Sequence, residues 1–263
     1  MDALRERSED LGVLGVSVAN LSMDEALGWL EGLLARPADR SRSVFFVNAH
    51  TLNLAVRDPA YLRVLVTADR VFGDGTGVRW AARLLHGVRL ADNVNGTDLV
   101  PRLLTHPVTP GRRLYLLGAS PQASERAADH VRGAFPSWTL VGHHHGYVGE
   151  AESAALIDAI NLAHPDLLLV GMGNPKQERW IHLHQPQLKV PVCIAVGGLF
   201  DYWAGDLVRA PTWIRRIGFE WLHLMLRQPR KVPRYLLGNP AFLCRVSYRR
   251  LLHGTSRHRE SLG

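Results

Sequence analysis

The feature that most constrains this chain is a series of short, unbroken apolar runs, at residues 44–47, 71–72, 114–117, 167–170 and 192–196, separated by stretches of helical character. A strand with one face in water alternates apolar and polar residues. A strand that is apolar throughout has both faces covered, and a sheet with helices on both faces is a parallel α/β sheet. Two further strands are expected at 13–18 and 139–141. Helix starts fall between them: Ser22 with Glu25 three residues on has capping-box spacing, and Asp58-Pro59 and Ser120-Pro121 each pair an N-cap with a proline at the first helical position. The spacing of Val78, Ala81, Ala82 and Leu85 makes one apolar helical face closed by Gly87, and Asn174-Pro175 reads as the capped start of another helix. The pattern predicts a doubly wound, mostly parallel, Rossmann-like α/β core over residues 1–206.

Beyond Ala210-Pro211 the strands stop. Trp213, Ile214, Ile217, Trp221, Leu222 and Met225 alternate with arginines, and Pro229, Pro233 and Pro240 divide the region into short helical pieces expected to pack loosely. Residues 207–263 contain twelve Arg or Lys against two acids, so a formal net charge of +7 leaves residues 1–206 at −3. A mildly acidic body thus carries a basic helical appendage, 207–263, suited to an anionic surface. Its arginines and aromatics fit a membrane interface, single-stranded nucleic acid or a merely solvated face. No run of 18 apolar residues occurs and the first ten residues lack the apolar segment of a secretory signal, so a cytoplasmic protein peripheral to the membrane is expected. Cys193 and Cys244 read as ordinary core residues rather than a disulfide or zinc framework.

In a doubly wound sheet, ligands bind beyond the carboxyl ends of the strands. Three turns fall there: Asn48-Ala49-His50, Gly73-Asp74-Gly75-Thr76-Gly77, and Gly171-Met172-Gly173-Asn174-Pro175-Lys176-Gln177. Glycines such as Gly75 and Gly173 allow close backbone approach to a phosphate, and a following helix N-terminus supplies N–H groups. Asp74, between two glycines, reads either as a helix N-cap or as a general base exposed to the cleft. His143-His144-His145 does not suit a metal, because neighbours on an extended segment point in alternating directions. Tyr147 either stacks on a base or closes the core.

Taken together, these segments resemble the WecG/TagA/CpsF glycosyltransferase family over about residues 12–248. The motifs that match in order are Phe46-Val47-Asn48-Ala49-His50, Gly73-Asp74-Gly75-Thr76-Gly77-Val78, Asn95-Gly96-Thr97-Asp98-Leu99, His145-Gly146-Tyr147, Gly173-Asn174-Pro175-Lys176-Gln177-Glu178, Gly197-Gly198-Leu199-Phe200-Asp201, Ala204-Gly205, Arg209-Ala210-Pro211 and Gly238-Asn239-Pro240. The resemblance implies inverting transfer of a sugar, N-acetylmannosamine or another hexose, from a UDP-sugar to a polyprenyl-diphosphate-linked saccharide in cell-surface polysaccharide synthesis. It implies no metal and no other cofactor. It assigns Asp74 as catalytic base, places Asn48 and Gln177 in the active-site pocket, and puts Tyr147 and Asp201 at the nucleotide. In the appendage, Arg230 and Arg234 are expected to complete the site at an anionic membrane, and self-association of the chain is expected too.

Two positions depart from the pattern: Phe46 stands where TagA-like members have threonine, and Asn93 where many have arginine. The alternatives of another class are a nucleotide-dependent oxidoreductase and a non-enzymatic nucleic-acid-binding protein. The first lacks a G-x-G-x-x-G after its first strand, and the second leaves the cleft without a use.

Overall fold

The computed structural model describes residues 10–36, 38–106, 111–208 and 236–260, with side chains through 252 in the last segment. A small antiparallel hairpin, β1 (Leu11–Val13) and β2 (Val16–Val18), precedes the main sheet. The six strands of that sheet are β3 (Arg42–Val47), β4 (Arg70–Gly73), β5 (Arg112–Gly118), β6 (Trp138–His144), β7 (Leu167–Gly171) and β8 (Val192–Ala195). They lie in the order β4-β3-β8-β7-β5-β6, every pair parallel. The expected Rossmann-like α/β fold is present. The single strand expected at 13–18 is not: Leu14 and Gly15 take φ of +50° and +92° and turn the segment back on itself. The hairpin meets the main sheet through a parallel bridge between Ala19 and Phe72.

The alternation of side chains along each strand explains the unbroken apolar runs. In β3, Phe45 and Val47 face one core and Val44 and Phe46 the other; in β7, Leu168 and Val170 oppose Leu167 and Leu169. The first core is covered by the hairpin, α2 (Ala49–Arg57), α3 (Pro59–Val66), α4 (Thr76–His86), α7 (Glu150–Leu162) and α8 (Lys176–His184). The second is covered by α1 (Met23–Ala35), α5 (Gly96–Thr105), α6 (Pro121–Ala134) and α9 (Leu199–Trp203). Phe46 belongs to this second core: it is buried, stacks on Phe72 at 5.8 Å between centroids, and lies under Gly96 at the start of α5.

The expected caps form. Ser22 Oγ accepts from Glu25 N at 3.3 Å while Ser22 N donates to Glu25 Oε2 at 2.8 Å, and the Asp58 carboxylate and Ser120 hydroxyl cap α3 and α6. At α8 the cap expected from Asn174 is absent; the N-cap position is Pro175, and Asn174 Nδ2 donates instead to Glu178 Oε1 at 2.5 Å.

The last described element, α10 (Gly238–Glu260), differs from the short, loosely packed pieces expected. Pro240 lies in its first turn, where its missing N–H costs nothing. Phe242 and Val246 are buried in the first core, with the Phe242 ring against the Gly77 position of α4. Asn53 on α2 donates through Nδ2 to Gly238 O at 2.7 Å, and Arg245 donates to Asn53 Oδ1. Burying the Phe242 side chain contributes about 1.5–3 kcal/mol. Cys193 is buried, its thiol pushed up to about 12 by burial, whereas Cys244 lies exposed on α10, outside the core expected for it.

Candidate active site

A parallel sheet gathers the carboxyl ends of all its strands at one edge. Reading along that edge from β4, the residues that follow each strand are Asp74-Gly75, Asn48, Gly197-Gly198, Met172-Gly173, Ala119 and His145. Three strand spacings separate β4 from β7, so the part of this row from Asp74 to Gly173 spans roughly 15 Å. The chain leaving β6 bends back over β5: Gly146 N donates to Ala119 O at 2.9 Å, and a Cβ on Gly146 would lie 3.1 Å from Gly118 Cα. Exposed Tyr147 follows directly. At the bottom of this part of the edge, Gly118 and Gly171 bring β5 and β7 so close that a Cβ on Gly118 would lie 2.3 Å from Gly171 O.

Asp74 is half-buried at the tip of β4. Its N–H donates to Val47 O at 2.8 Å, continuing the β3–β4 ladder by one residue and setting Asp74 beside Asn48. Gly75 follows with φ +90°, a conformation glycine adopts freely, and α4 begins at Thr76 without a side-chain cap. The Gly75 N–H donates to Asn93 Oδ1 at 2.5 Å. The N-cap position of α4 is therefore Gly75 and not Asp74. Asn48 does act as a cap: its Oδ1 accepts from His50 N and Thr51 N, each at 3.1 Å.

Gln177 is buried, 2% exposed, and joins two of the turns. Its Oε1 accepts from Gly173 N at 3.1 Å and from Gly197 N at 2.9 Å, and its Nε2 donates to Glu178 Oε1 at 2.8 Å. Glu178 is fully buried; burial pushes its carboxyl above the usual carboxylate range, against the opposing hydrogen bonds from Gln177 and Asn174. Burial and the neighbouring Glu178 in turn push the Tyr61 hydroxyl upward. Glu178 is thus a part of the site's frame that the sequence reading did not single out, and Asn93, read there only as a departure from the family pattern, is an acceptor for the Gly75 N–H. Glu178 sat within a matched motif, but nothing in an apolar pattern marks a buried acid that fixes a neighbouring amide.

On the other side of the edge, Asp201 lies on α9 with its Oδ2 3.5 Å from the Gly198 Cβ position. A cavity of about 370 Å³ opens between this helix and the first turn of α5, lined by Thr97, Leu199, Tyr202 and Trp203 among others. His143 Nδ1 pairs with Ser124 Oγ at 3.3 Å and His144 Nδ1 with His145 O at 2.8 Å. Among the described residues no three His, Cys, Asp or Glu side chains gather as a metal site. Arg209, Arg230 and Arg234 lie outside the described residues. The structure thus brings Asp74, Gly75, Asn48, Gly173, Gln177 and Asp201 to one edge of the sheet, with Tyr147 at the end of the segment that folds back toward it.

This is the arrangement of a doubly wound α/β protein with glycine turns and a carboxylate gathered at the carboxyl edge of its sheet, where such folds bind ligands. The sequence matches the profile of the Glycosyl transferase WecG/TagA/CpsF family over residues 11–256, and the chain belongs to that family. It is therefore a glycosyltransferase, not the oxidoreductase considered from its glycine turns. It is 30% identical over 243 residues, covering 92% of this chain and 94% of the relative, to the N-acetylglucosaminyldiphosphoundecaprenol N-acetyl-beta-D-mannosaminyltransferase of Staphylococcus aureus strain MRSA252. The proteins of the same name from strains MW2 and NCTC 8325 match to the same extent.

Proposed function

We propose that this chain is an inverting, UDP-sugar-dependent hexosyltransferase acting on a polyprenyl-diphosphate-linked saccharide, within cell-surface polysaccharide synthesis. The Staphylococcus aureus relatives, named as N-acetylmannosaminyl transferases with a diphosphoundecaprenol-linked N-acetylglucosamine, support a lipid-linked acceptor and an N-acetylmannosamine or similar hexose donor. The observation that carries the reading is the half-buried Asp74 carboxylate at the tip of β4, one strand spacing from Asn48 and at the end of a row of glycine turns.

In this mechanism Asp74 takes the proton of an acceptor hydroxyl as that oxygen attacks the anomeric carbon from the face opposite the diphosphate. The new carbon–oxygen bond forms as the bond to UDP breaks, the electron pair leaves with UDP, and the anomeric configuration inverts. Charge growing on the diphosphate is met by Arg230 and Arg234, while the glycines at 75 and 173 let the backbone come close to it, with no metal required. Tyr147 and Asp201 hold the nucleoside. Asn48, whose carbonyl oxygen caps α2, presents its amide to substrate. Gln177 acts by fixing the Gly173 and Gly197 turns.

Among the described residues no helix is long and apolar enough to cross a membrane. Exposed Trp80 on α4 and exposed Tyr248, Leu251 and Leu252 on α10, the last helix carrying exposed Arg249 and Arg250, support a peripheral contact with an anionic cytoplasmic leaflet. The test is a transfer assay with a panel of UDP-hexoses and a short polyprenyl-diphosphate-linked N-acetylglucosamine acceptor. Product of inverted anomeric configuration with at least one donor is expected; the absence of transfer from every UDP-sugar overturns the reading.

A further inference from the structure

We propose that Asn93 is a positioning residue for the Asp74 carboxylate, acting through the amide of Gly75. The inference rests on the reading of Asp74 as the base.

The ladder with β3 ends at the Asp74 N–H, which Val47 O accepts at 2.8 Å. The next residue, Gly75, is outside that ladder, takes φ +90° and ψ 169°, and among the described residues has nothing within 4 Å of an added Cβ. Its helix has no side-chain cap. The Gly75 N–H is held by a 2.5 Å hydrogen bond to Asn93 Oδ1, and its carbonyl accepts from Arg79 N at 3.5 Å. Rotation about the Gly75 backbone, cheap for glycine, would swing the adjoining carboxylate, and a hydrogen bond at this point removes that freedom.

Asn93 is itself moored. Its N–H donates to Asp92 Oδ1 at 2.7 Å, and its carbonyl accepts from Asn95 Nδ2 at 3.4 Å. Asp92 Oδ2 accepts from Met23 N at 3.3 Å, and Ala91 N donates to Asn20 Oδ1 at 2.8 Å. The segment thus links the start of α1 and the cap of α5 to the turn beside the crevice. The chemistry at position 93 is specific. The contact needs an acceptor, which leucine, lysine and arginine lack; aspartate would accept the bond but set a second negative charge one peptide from Asp74.

Steady-state transfer kinetics across pH, for Asn93→Asp, Asn93→Leu and Asp74→Asn beside the wild type, test this. Among the described residues, the charged or titratable groups on the elements around the turn include Arg79, Arg83 and His86 on α4, His50 and Arg57 on α2, Asp92, Asp98 on α5 and Arg245 on α10. All are shared by the wild type and both Asn93 variants, so a shift in profile reads the introduced charge. Asn93→Asp is expected to keep its optimal kcat within about threefold while the acidic limb of kcat/KM moves up by roughly half to one pH unit. Asn93→Leu is expected to lower kcat about tenfold or more, with KM for the donor changed less than about threefold. Wild-type kcat in Asn93→Leu, or an unmoved acidic limb in Asn93→Asp while Asp74→Asn is inactive, overturns the proposal and leaves the base intact. Normal turnover of Asp74→Asn removes the base and the proposal with it. Should Asn93→Leu fail to fold, the Asn93→Asp profile decides alone.

Discussion

Gln177 and Gly197, twenty residues apart, are joined by a 2.9 Å hydrogen bond from the glycine N–H to the buried amide oxygen, and that same oxygen holds Gly173. One side chain therefore ties the turn after β7 to the turn after β8. Replacing it with leucine, of similar bulk, leaves both N–H groups without that acceptor, at a cost of about 1–3 kcal/mol for each one that stays buried. Gln177→Leu is expected to lower the melting temperature by roughly 2–4 °C per kcal/mol lost. It is also expected to reduce kcat/KM at least about tenfold, since a loosened turn misplaces the donor. Thermal denaturation and transfer kinetics on one preparation check both.

Glu178 gives a stability effect with a definite sign in pH. Burial raises its folded carboxyl above the ordinary value of 4.5. The folded state then binds its proton more tightly than the unfolded state, so this group's contribution to stability is fully present below about 4.5 and is lost as pH rises through the folded value. Glu178→Gln keeps an oxygen to accept from Gln177 and Asn174 and has no charge to bury. The variant is expected to melt a few degrees higher than the wild type near pH 8 and to lose that advantage near pH 4, on the scale of roughly 2–4 °C per kcal/mol. Melting curves at both pH values check the crossing.

The seating of α10 makes the C-terminal region part of the stability of the core. Phe242→Ala empties a buried ring position between α4 and α10, with an expected cost of about 3–5 kcal/mol. Loss of the ring also weakens the hold of Arg245 on Asn53. Limited proteolysis should cut near α10 sooner in the variant than in the wild type, with a fall in melting temperature beside it.

The sequence made the sheet legible because its strands are buried on both faces, and a run such as Leu167 to Val170 has no other economical reading. The row of glycine turns at the carboxyl edge was legible from the same fact, since the turns had to follow those strands. The hairpin was not, because a left-handed Leu14 leaves no mark in composition. Asn48 was placed in the crevice, but its capping of α2 depends on a helix that the reading took as a turn. Gln177 was found by its motif, yet its partners are two backbone N–H groups with no residue identity to read. At Asn93 the sequence suggested only a missing charge, whereas the structure gives an acceptor for Gly75. Phe46, a departure from the family pattern, fills the second core beneath Gly96.

The central claim is that one carboxylate removes the acceptor's proton in a crevice that also binds the donor nucleotide. Asp74→Asn, nearly isosteric, separates the two functions when transfer rate and UDP binding are measured on the same protein by single-turnover kinetics and calorimetry. The account predicts a rate reduced by about two to four orders of magnitude with UDP affinity unchanged. A near-normal rate in that variant contradicts it.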